Sequence, residues 1–339
     1  MKLLITGGAG FIGSNFVHHM RSTHPEWKLV VLDKLTYAGN LENLEPALQQ
    51  GHCEFVQMDI CDPAVRDQVR GSDAVIHFAA ESHVDRSIED AAAFVRTNVE
   101  GTHNMVQACR EARVPRFVHV STDEVYGSLG KEGQFTETSP VQPNSPYAAT
   151  KAASDLLVLA YVRTHKFPAI VTRCSNNYGP YQFPEKFIPL MIAQALSGEK
   201  LPVYGKGENV RDWIHVSDHC RALESVLLRG RIGEVYNIGG GNEVPNLDLA
   251  KLILKLLDRP DNLIKFVTDR PGHDLRYAID CFKIGRELGW APEIGFVRGL
   301  TDTVAWYRGH QQWLDDVRSG QYRDYFQKHY VRREQTFAQ

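Results

Sequence analysis

Near the middle of the chain, two adjacent carboxylates could carry out acid–base chemistry. Asp123 and Glu124 follow Thr122, directly after the apolar run 116–120, which is typical of a buried strand in a parallel sheet. Ligands of such sheets bind at the carboxyl ends of the strands. Neighbouring carboxyl groups suit paired proton transfer, because different environments can separate their pKa values. The alternative is a pair of solvated loop acids.

Tyr147 and Lys151 form a second candidate pair. They are four positions apart, which places them on one face of a predicted helix. The apolar face of that helix is predicted at Leu156, Leu157, Ala160 and Tyr161. A nearby ammonium would stabilise a tyrosine phenolate and bring its pKa toward the working range. The same spacing also occurs by chance on solvated helices.

The elements that would position these groups begin at the first residues. Segment 2–6 is predicted to be a buried strand, and a glycine-rich turn and a helix follow it. Gly7 would permit a tight turn, Gly10 would let the backbone approach a pyrophosphate, and Gly13 would let the helix pack against the strand. The amino terminus of the helix would attract the phosphates.

Asp33 ends the next predicted strand, at 29–32. A carboxylate there would accept hydrogen bonds from ribose hydroxyls and repel a 2′-phosphate, which favours NAD over NADP. The positive nicotinamide of NAD would then help Lys151 to lower the pKa of Tyr147.

Strands and helices keep alternating through the first half of the chain. Further strands are predicted at 54–58 and 74–78, and a long helix is predicted from about Ala91 to Arg113. This alternation implies right-handed crossovers and an α/β fold with a doubly wound parallel sheet.

Composition excludes several classes of function. The chain has 339 residues and a net charge of −3, without a long block of one sign, which argues against binding to nucleic acid or to an anionic membrane. Cysteines at 53, 61, 109, 174, 220 and 281 form no C-x-x-C pair, so we expect no metal site and no disulfides. They fit a reducing cytosol, and the absence of a signal stretch and of a membrane-length apolar run agrees with a cytoplasmic protein.

Five segments together resemble the extended short-chain dehydrogenase/reductase family, and within it the nucleotide-sugar dehydratases that act on dTDP-glucose. These segments are 6–13, 79–87, 121–127, 175–186 and 269–274. The glycine and Tyr/Lys motifs specify only the superfamily. Asp123 and Glu124 after Thr122 separate the dehydratases from related epimerases, which carry small residues at these positions.

The resemblance implies oxidation of the sugar at carbon 4, loss of water across carbons 5 and 6, and return of hydride to carbon 6 with NAD regenerated. Tyr147, supported by Lys151, would take the proton of the 4-hydroxyl, whose oxygen Thr122 would also hydrogen-bond. Glu124 would remove the carbon-5 proton while a protonated Asp123 donates to the departing 6-hydroxyl. The alternatives are a UDP- or GDP-sugar dehydratase, a 4-epimerase of the same fold, and a redox-silent NAD-binding scaffold.

The resemblance also implies two sets of binding residues. NAD contacts are expected from Gly7, Gly10, Phe11, Ile12, Gly13, Asp33, Lys34, Thr36, Asp59, Ile60, Ala79, Ala80, Ser82, Thr97, Tyr147, Lys151 and Asn176. The nucleotide sugar is expected at Ser82, His83, Thr122, Asn177, Glu185, Lys186, Pro202, Tyr204, Arg211, Asn246, Arg270 and His273. Arg211 suits bidentate phosphate binding, although a surface salt bridge is the alternative. A structural role is the alternative for His83.

The expected organisation follows from the same resemblance. Residues 1–173 would form an NAD-binding Rossmann domain that carries the catalytic residues. Residues 174–310 would form a smaller, mixed domain that binds the nucleotide sugar, with some segments returning to the first domain, and 311–339 would be a C-terminal extension. A homodimer is expected through the 91–113 helix and the helix that starts at Tyr147. The end of the chain carries no recognised motif; a surface helix with Trp313 and Tyr325 docked is expected there, followed by a frayed tail.

Overall fold

The computed structural model describes residues 1–49 and 51–318. In chain order the strands are β1 (Lys2–Thr6), β2 (Lys28–Asp33), β3 (Cys53–Gln57), β4 (Ala74–His77), β5 (Phe117–Thr122), β6 (Ala169–Cys174), β7 (Asn176–Tyr178), β8 (Leu201–Tyr204), β9 (Val210–His215), β10 (Val235–Ile238), β11 (Glu243–Pro245) and β12 (Ile264–Val267). The α-helices are α1 (Phe11–Thr23), α2 (Glu45–Gln49), α3 (Val65–Val69), α4 (Val84–Glu89), α5 (Ala92–Phe94), α6 (Thr102–Glu111), α7 (Pro146–His165), α8 (Phe187–Ser197), α9 (Val216–Arg229), α10 (Asn246–Leu256), α11 (Phe282–Leu288), α12 (Phe296–Gly309) and α13 (Gln311–Arg318). Shorter 3-10 turns are found at Leu41–Leu44, Asp123–Tyr126 and Asp261–Leu263.

The main sheet has seven parallel strands in the order β10-β6-β5-β4-β1-β2-β3. Its strand order reverses between β1 and β4, the point at which sheets of this type bind ligands. The predicted α/β, doubly wound fold is therefore confirmed. Strand β10 enters the sheet beside β6 after the chain has left it for β7, β8 and β9, so the sheet is completed by a segment from the second half of the chain.

Apolar side chains on both faces of the strands explain why helices cover the sheet on both sides. In β1, Leu3 and Ile5 pack into the core under α1 and α9, whereas Leu4 packs into the opposite core under α3 and α6. All three side chains are fully buried. Because strands of a parallel sheet are buried on both faces, their sequences are nearly continuous apolar runs.

The second half of the chain builds a smaller, mixed arrangement around its own core. Strand β9 pairs antiparallel with β11 and parallel with β7, and β8 pairs parallel with β12. Helices α8, α10 and α12 enclose an apolar cluster that includes Ile192, Ile253 and Leu300. This agrees with the predicted smaller second part.

The long helix predicted from Ala91 to Arg113 contains a π-helical segment, Val95–Gly101, between α5 and α6. The Asn98 side chain accepts a hydrogen bond from Glu81 N at 2.8 Å and donates to Glu81 O at 3.0 Å. Wider helical turns of this kind often occur at functional sites. Here the turn brings Thr97 to the cleft described below.

The predicted apolar face of α7 packs only in part within the chain, where Tyr161 lies against the apolar cluster that contains Val158. Leu156 is 56% exposed and Ala160 is also exposed. The side of α7 that faces the sheet buries Ala152 and Val158 together with polar groups such as Lys151. Polar and apolar side chains thus share the inner side of α7, while apolar side chains such as Leu156 remain on its outer side.

Three further predictions concern membrane spans, the cysteines and the end of the chain. No helix in the part of the chain that the structure describes is long and apolar enough to cross a membrane. All six cysteines are free thiols. Trp313 lies in α13 and is buried, as predicted, whereas Tyr325 lies outside the described residues.

Candidate active site

The glycine-rich turn after β1 has a shape that larger residues would disrupt. Gly7 adopts a φ of +69°, and a Cβ atom there would lie 2.6 Å from the backbone nitrogen of Ala79. A Cβ on Gly13 would collide with the carbonyl of Gly7. The small size of these glycines lets the turn pass close to the neighbouring backbone. The turn leads into the amino terminus of α1, whose first N–H groups have no partner within the helix and suit a phosphate.

Asp33 connects this turn to the loop after β2. Its Oδ2 accepts a hydrogen bond from Ala9 N at 3.0 Å, and its Oδ1 accepts one from Leu35 N at 2.8 Å. Burial raises the pKa of the Asp33 carboxyl, and these backbone hydrogen bonds oppose that rise. Each carboxylate oxygen can accept further bonds, as ribose hydroxyls would require.

A cleft runs along the carboxyl ends of the main strands. Its lining contains all of the residues that were predicted to contact NAD, including Lys34, Thr36, Asp59, Ile60, Ala80 and Asn176. The glycine turn at one end, the Asp33 carboxylate and the start of α1 form a cradle that fits a dinucleotide. Contact of each single residue with NAD stays a prediction.

Sequence analysis missed part of this lining. The cleft also includes Phe78, Glu81, Cys174, Gln182 and Phe183. Most of them lie inside or beside the segments 79–87 and 175–186 that carry the family resemblance. Their position in these segments was the available signal.

The two central carboxylates lie at the end of β5, in the 3-10 turn Asp123–Tyr126. Thr122 begins this turn: its Oγ1 accepts a hydrogen bond from Glu124 N at 3.3 Å and donates one to Asp123 Oδ1 at 3.4 Å. Asp123 is only 1% exposed, and its Oδ2 has no hydrogen-bond partner among the described residues. Thr122, Asp123 and Glu124 all line the cleft.

The surroundings of the two carboxyl groups differ. Burial, with the charge of Glu124, raises the pKa of Asp123 well above its ordinary range. Burial also raises the pKa of Glu124, but the positive charges of Arg270 and Lys186 oppose the rise. Burial thus acts on both carboxyl groups, but only Glu124 has strong opposing positive charges, so Asp123 has the stronger tendency to hold a proton. The roles of acid and base stay a prediction.

Tyr147 and Lys151 lie in the first turns of α7, as predicted. Ser145 caps this helix by accepting a hydrogen bond from Ala148 N at 3.1 Å, and Ser87 Oγ accepts one from Tyr147 N, also at 3.1 Å. Both functional side chains line the cleft.

The pKa of Tyr147 differs from the expectation. Burial and the charge of Glu124 raise it well above its ordinary value, and a hydrogen bond with Thr122 opposes this only in part. Lys151 is itself buried, and its Nζ donates to Val120 O at 2.8 Å. Within the chain alone, burial and the charge of Glu124 therefore outweigh the influences that lower the pKa of the Tyr147 phenol.

Replacing Lys151 by Met is expected to stabilise the cofactor-free protein near neutral pH. Burial lowers the pKa of Lys151 to about 8, against an ordinary value of 10.5. This corresponds to about 3 kcal/mol of unfavourable burial of the ammonium at pH 7. Denaturant titration would measure the gain in the free energy of unfolding, with the exposed Lys206→Met as the control.

The sign of the pH dependence provides a second check on Lys151. Below its folded-state pKa, the ammonium is charged in both the folded and the unfolded chain, and the whole cost is present. Between about pH 8 and the ordinary pKa of lysine, the unfolded chain binds more protons, so the wild-type protein gains stability as pH rises. The advantage of Lys151→Met should shrink over this range; a constant advantage would contradict the assignment.

The predicted sugar-binding residues fall into two groups. Ser82, Thr122, Asn177, Glu185 and Lys186 line the cleft, and Lys186 Nζ donates to Ser82 O at 2.6 Å. The cleft lining described above does not include His83, Pro202, Tyr204, Arg211, Asn246, Arg270 and His273.

Arg270, Tyr204 and Arg211 are nevertheless held in place, and the charges of both arginines reach Glu124. Asp85, 5% exposed, accepts hydrogen bonds from Arg270 Nη1 at 2.9 Å and from Tyr204 OH at 2.8 Å. The Arg211 guanidinium donates to Asp274 O at 3.0 Å. Both arginines act on the pKa of Glu124, so positive charge extends from the cleft toward this second group.

Asp85 and His83 show where sequence reasoning about segment 79–87 was incomplete. Asp85 was not named, although it joins two predicted sugar-binding residues. His83 begins α4 by accepting a hydrogen bond from Arg86 N at 3.4 Å, and burial lowers its pKa well below the ordinary value. A neutral, capping histidine fits the structural alternative for this residue.

Comparisons with known proteins agree with this geometry. The protein-family profile described as GDP-mannose 4,6 dehydratase matches residues 4–303. A dTDP-glucose 4,6-dehydratase of Streptomyces niveus is 55% identical over 324 residues, covering 94% of this chain and 96% of that protein. The Salmonella typhimurium dTDP-glucose 4,6-dehydratase is 49% identical over 98% of this chain and all of its own length.

Solved structures give the same picture. The dTDP-glucose 4,6-dehydratase of Streptomyces venezuelae, crystallised with NAD and dTDP bound, superposes with a TM-score of 0.92 at 51% identity and covers 94% of this chain and 100% of that one. The Thermus thermophilus UDP-glucose 4-epimerase, in complex with NAD, superposes with a TM-score of 0.85 at 29% identity, covering 91% of this chain and 100% of that one. The chain therefore belongs to the dTDP-glucose 4,6-dehydratase family of extended short-chain dehydrogenases/reductases.

Proposed function

We propose that this protein is a lyase that converts dTDP-glucose to dTDP-4-keto-6-deoxyglucose. The observation that carries the proposal is the Thr122-Asp123-Glu124 turn, whose two buried carboxyl groups line the same cleft as Tyr147 and the residues expected to bind NAD. The 55% identity to a dTDP-glucose 4,6-dehydratase supports the choice of substrate. Such an enzyme would serve deoxysugar biosynthesis.

The first proton transfer belongs to Tyr147. Its phenolate would take the proton of the sugar 4-hydroxyl, and the Thr122 hydroxyl would hydrogen-bond the same oxygen. NAD, when bound, supplies the acceptor and later the donor of the hydride, together with a positively charged ring. The positive ring would stabilise the phenolate and so lower the pKa of Tyr147, which burial raises. Lys151 adds a second positive charge on the same helix.

Elimination of water belongs to the two carboxyl groups. Once carbon 4 is a ketone, the proton on carbon 5 is acidic, and ionised Glu124 would remove it. Protonated Asp123 would donate to the 6-hydroxyl, because hydroxide is a very poor leaving group at neutral pH. Burial raises the pKa of both side chains, but the rise is opposed at Glu124 by Arg270 and Lys186 and is reinforced at Asp123 by the charge of Glu124, which supports this division of roles.

The second part of the chain would hold the nucleotide sugar. We propose that residues 1–173 carry NAD and the catalytic groups, that 174–310 bind the nucleotide and the sugar, and that 311–339 form an extension. Arg211 and Arg270 supply positive charge for the diphosphate. The remaining predicted contacts of the sugar and the base would come from Pro202, Tyr204, Asn246 and His273, whereas His83 would act by capping α4.

Asp85→Asn is expected to weaken substrate binding. The variant keeps the size of the side chain but removes the charge that holds Arg270 and Tyr204. We expect the KM for dTDP-glucose to rise about tenfold, with a smaller change in kcat. Steady-state kinetics would measure this split.

Two further measurements test the role given to Asp85. The exposed acid Asp302 on α12 provides a control, since Asp302→Asn should leave both constants unchanged. The affinity of Asp85→Asn for NAD should also be unchanged. A fall in kcat with a constant KM would contradict the role in substrate binding.

We also propose a homodimer in the cytoplasm. The outer side of α7 carries Ala149, Leu156 and Ala160, and the neighbouring π-helical segment carries Val95, all exposed in the single chain. Adjacent apolar helix faces suit burial against a second copy. Free cysteines suit a reducing compartment. Light scattering would check the dimer, and a mass of one chain would contradict it.

One experiment tests the proposed reaction against its alternatives. The purified protein is incubated with NAD and with dTDP-, UDP- or GDP-linked glucose, or with GDP-mannose, and the product mass is followed. Loss of one water without net accumulation of NADH identifies a dehydratase, and the best substrate identifies the base. An isomer of unchanged mass would indicate a 4-epimerase, and no reaction at all would indicate an NAD-binding scaffold.

A further inference from the structure

Helix α13, the last helix that the structure describes, contacts Asn43, which lies next to the glycine-rich turn. Its Trp313 is 9% exposed, and its indole Nε1 donates a hydrogen bond to Asn43 Oδ1 at 2.9 Å. Arg318 fastens the other end of the helix to α8, because its Nη2 donates to Gln194 Oε1 at 3.0 Å. Two polar anchors thus fix α13 on the rest of the chain.

Asn43 stands between Trp313 and the glycine-rich turn. It is 1% exposed, and its Nδ2 donates a hydrogen bond to Ala9 O at 3.0 Å. The same carbonyl accepts a bond from Asn40 N at 3.1 Å. The amide of Asn43 therefore has a partner on both sides, and the bond from Trp313 fixes which way the amide group points.

Ala9 lies inside the glycine-rich turn, and both of its backbone polar groups are held by side chains. Its N–H donates to Asp33 Oδ2 at 3.0 Å, and its carbonyl accepts from Asn43. The next residues are Gly10 and the first turn of α1, whose N–H groups are suited to phosphate. The orientation of Ala9 thus sets the shape of the anion-binding turn.

Aromatic rings fix the position of the Trp313 side chain. Its ring lies 5.3 Å from that of Trp306 and 6.0 Å from that of Tyr181, edge-on to both. Tyr181 also packs against His18 of α1 at 5.8 Å. The indole is therefore held on several sides, so its N–H is aimed at Asn43 before any ligand arrives.

We propose that Trp313 is a positioning residue for NAD: acting through Asn43, it holds the glycine-rich turn in the shape that binds the diphosphate of the dinucleotide. The inference rests on the NAD site of the proposed function. It gives a role to the start of the C-terminal extension, for which the sequence carried no motif. Trp313 itself is not part of the cleft lining.

Trp313→Phe separates this role from simple packing. The variant keeps an apolar ring in the aromatic cluster and removes the N–H donor. Asn43 Oδ1 would then be buried without a donor, and the amide would be free to turn away from Ala9. Trp306→Phe is the matched control. It replaces another indole of the same aromatic cluster by the smaller phenyl ring but keeps the hydrogen bond from Trp313 to Asn43.

The test is calorimetric titration of NAD into the full-length protein after its bound nucleotide has been removed. We expect the Kd for NAD to be about tenfold higher for Trp313→Phe than for the unmodified chain. Trp306→Phe should bind NAD as the unmodified chain does. The affinity of Trp313→Phe for dTDP should be unchanged, which a general loss of structure would not allow.

A double variant tests whether the effect passes through Asn43. In an Asn43→Ala background, Trp313→Phe should cause no further loss of NAD affinity. An unchanged Kd in Trp313→Phe, an equal loss of dTDP affinity, or a full Trp313→Phe effect in the Asn43→Ala background would each overturn the inference. Failure of the unmodified chain to bind NAD would instead overturn the proposed function together with it.

Discussion

Glu124→Gln is expected to stop the reaction after oxidation of the sugar. The amide has nearly the same shape as the carboxylate but cannot accept the carbon-5 proton, so water loss should slow by about a thousandfold or more. Oxidation at carbon 4 does not use Glu124, so the reduced cofactor should accumulate on the enzyme. Nicotinamide absorbance in a single turnover, followed by analysis of the released sugar, would measure both effects.

Two controls make the Glu124 result interpretable. The affinities for NAD and dTDP should remain close to those of the unmodified protein, which shows that the cleft is intact. Asp123→Asn should give the same pattern, because the departing hydroxyl then lacks its proton donor. Normal formation of the 4-keto-6-deoxy product by Glu124→Gln would remove Glu124 from the role of base.

Tyr147→Phe should act one step earlier. The phenyl ring can keep the packing against Phe94, whose ring centroid lies 6.4 Å away, but the group that takes the 4-hydroxyl proton is lost. Formation of the reduced cofactor should therefore fall by about a thousandfold or more. Single-turnover absorbance would measure it, and undiminished formation of NADH would exclude Tyr147 from the mechanism.

The pair of variants locates each residue in the reaction. Reduced cofactor should build up in Glu124→Gln and be nearly absent in Tyr147→Phe. The charge of Glu124 raises the pKa of Tyr147, so its loss in Glu124→Gln should if anything ease the proton transfer to Tyr147; a block of oxidation in this variant would contradict the separate roles of the two residues. Combining the two changes should reproduce the Tyr147→Phe behaviour.

The sequence predicted those parts of the site that depend on contiguous residues. The turn that begins at Gly7, Asp33 at the end of β2, and the carboxylates after β5 each lie at a strand end. A parallel sheet brings strand ends to one edge, so the order of elements was enough to place them together. The predicted α/β fold was correct for the same reason.

Features that depend on distant contacts were not predictable in this way. Asp85 meets Tyr204 and Arg270 only after the second half of the chain has folded back over α4. The raised pKa of Tyr147 comes from burial, which a spacing of four residues does not reveal. Hydrophobic spacing did not reveal the inner side of α7, because that side carries polar groups such as Lys151 together with Ala152 and Val158.

The position of β10 has a consequence for how the chain reaches its native state. A fragment that ended after β6 would leave that strand as an open sheet edge, and such edges recruit other chains. Closing the edge requires β10, more than sixty positions further on, so this strand must be synthesised and released before the sheet can be completed. We therefore expect that the two halves of the chain do not fold as independent pieces. Folding should also be slow, because strands far apart in the sequence must pair.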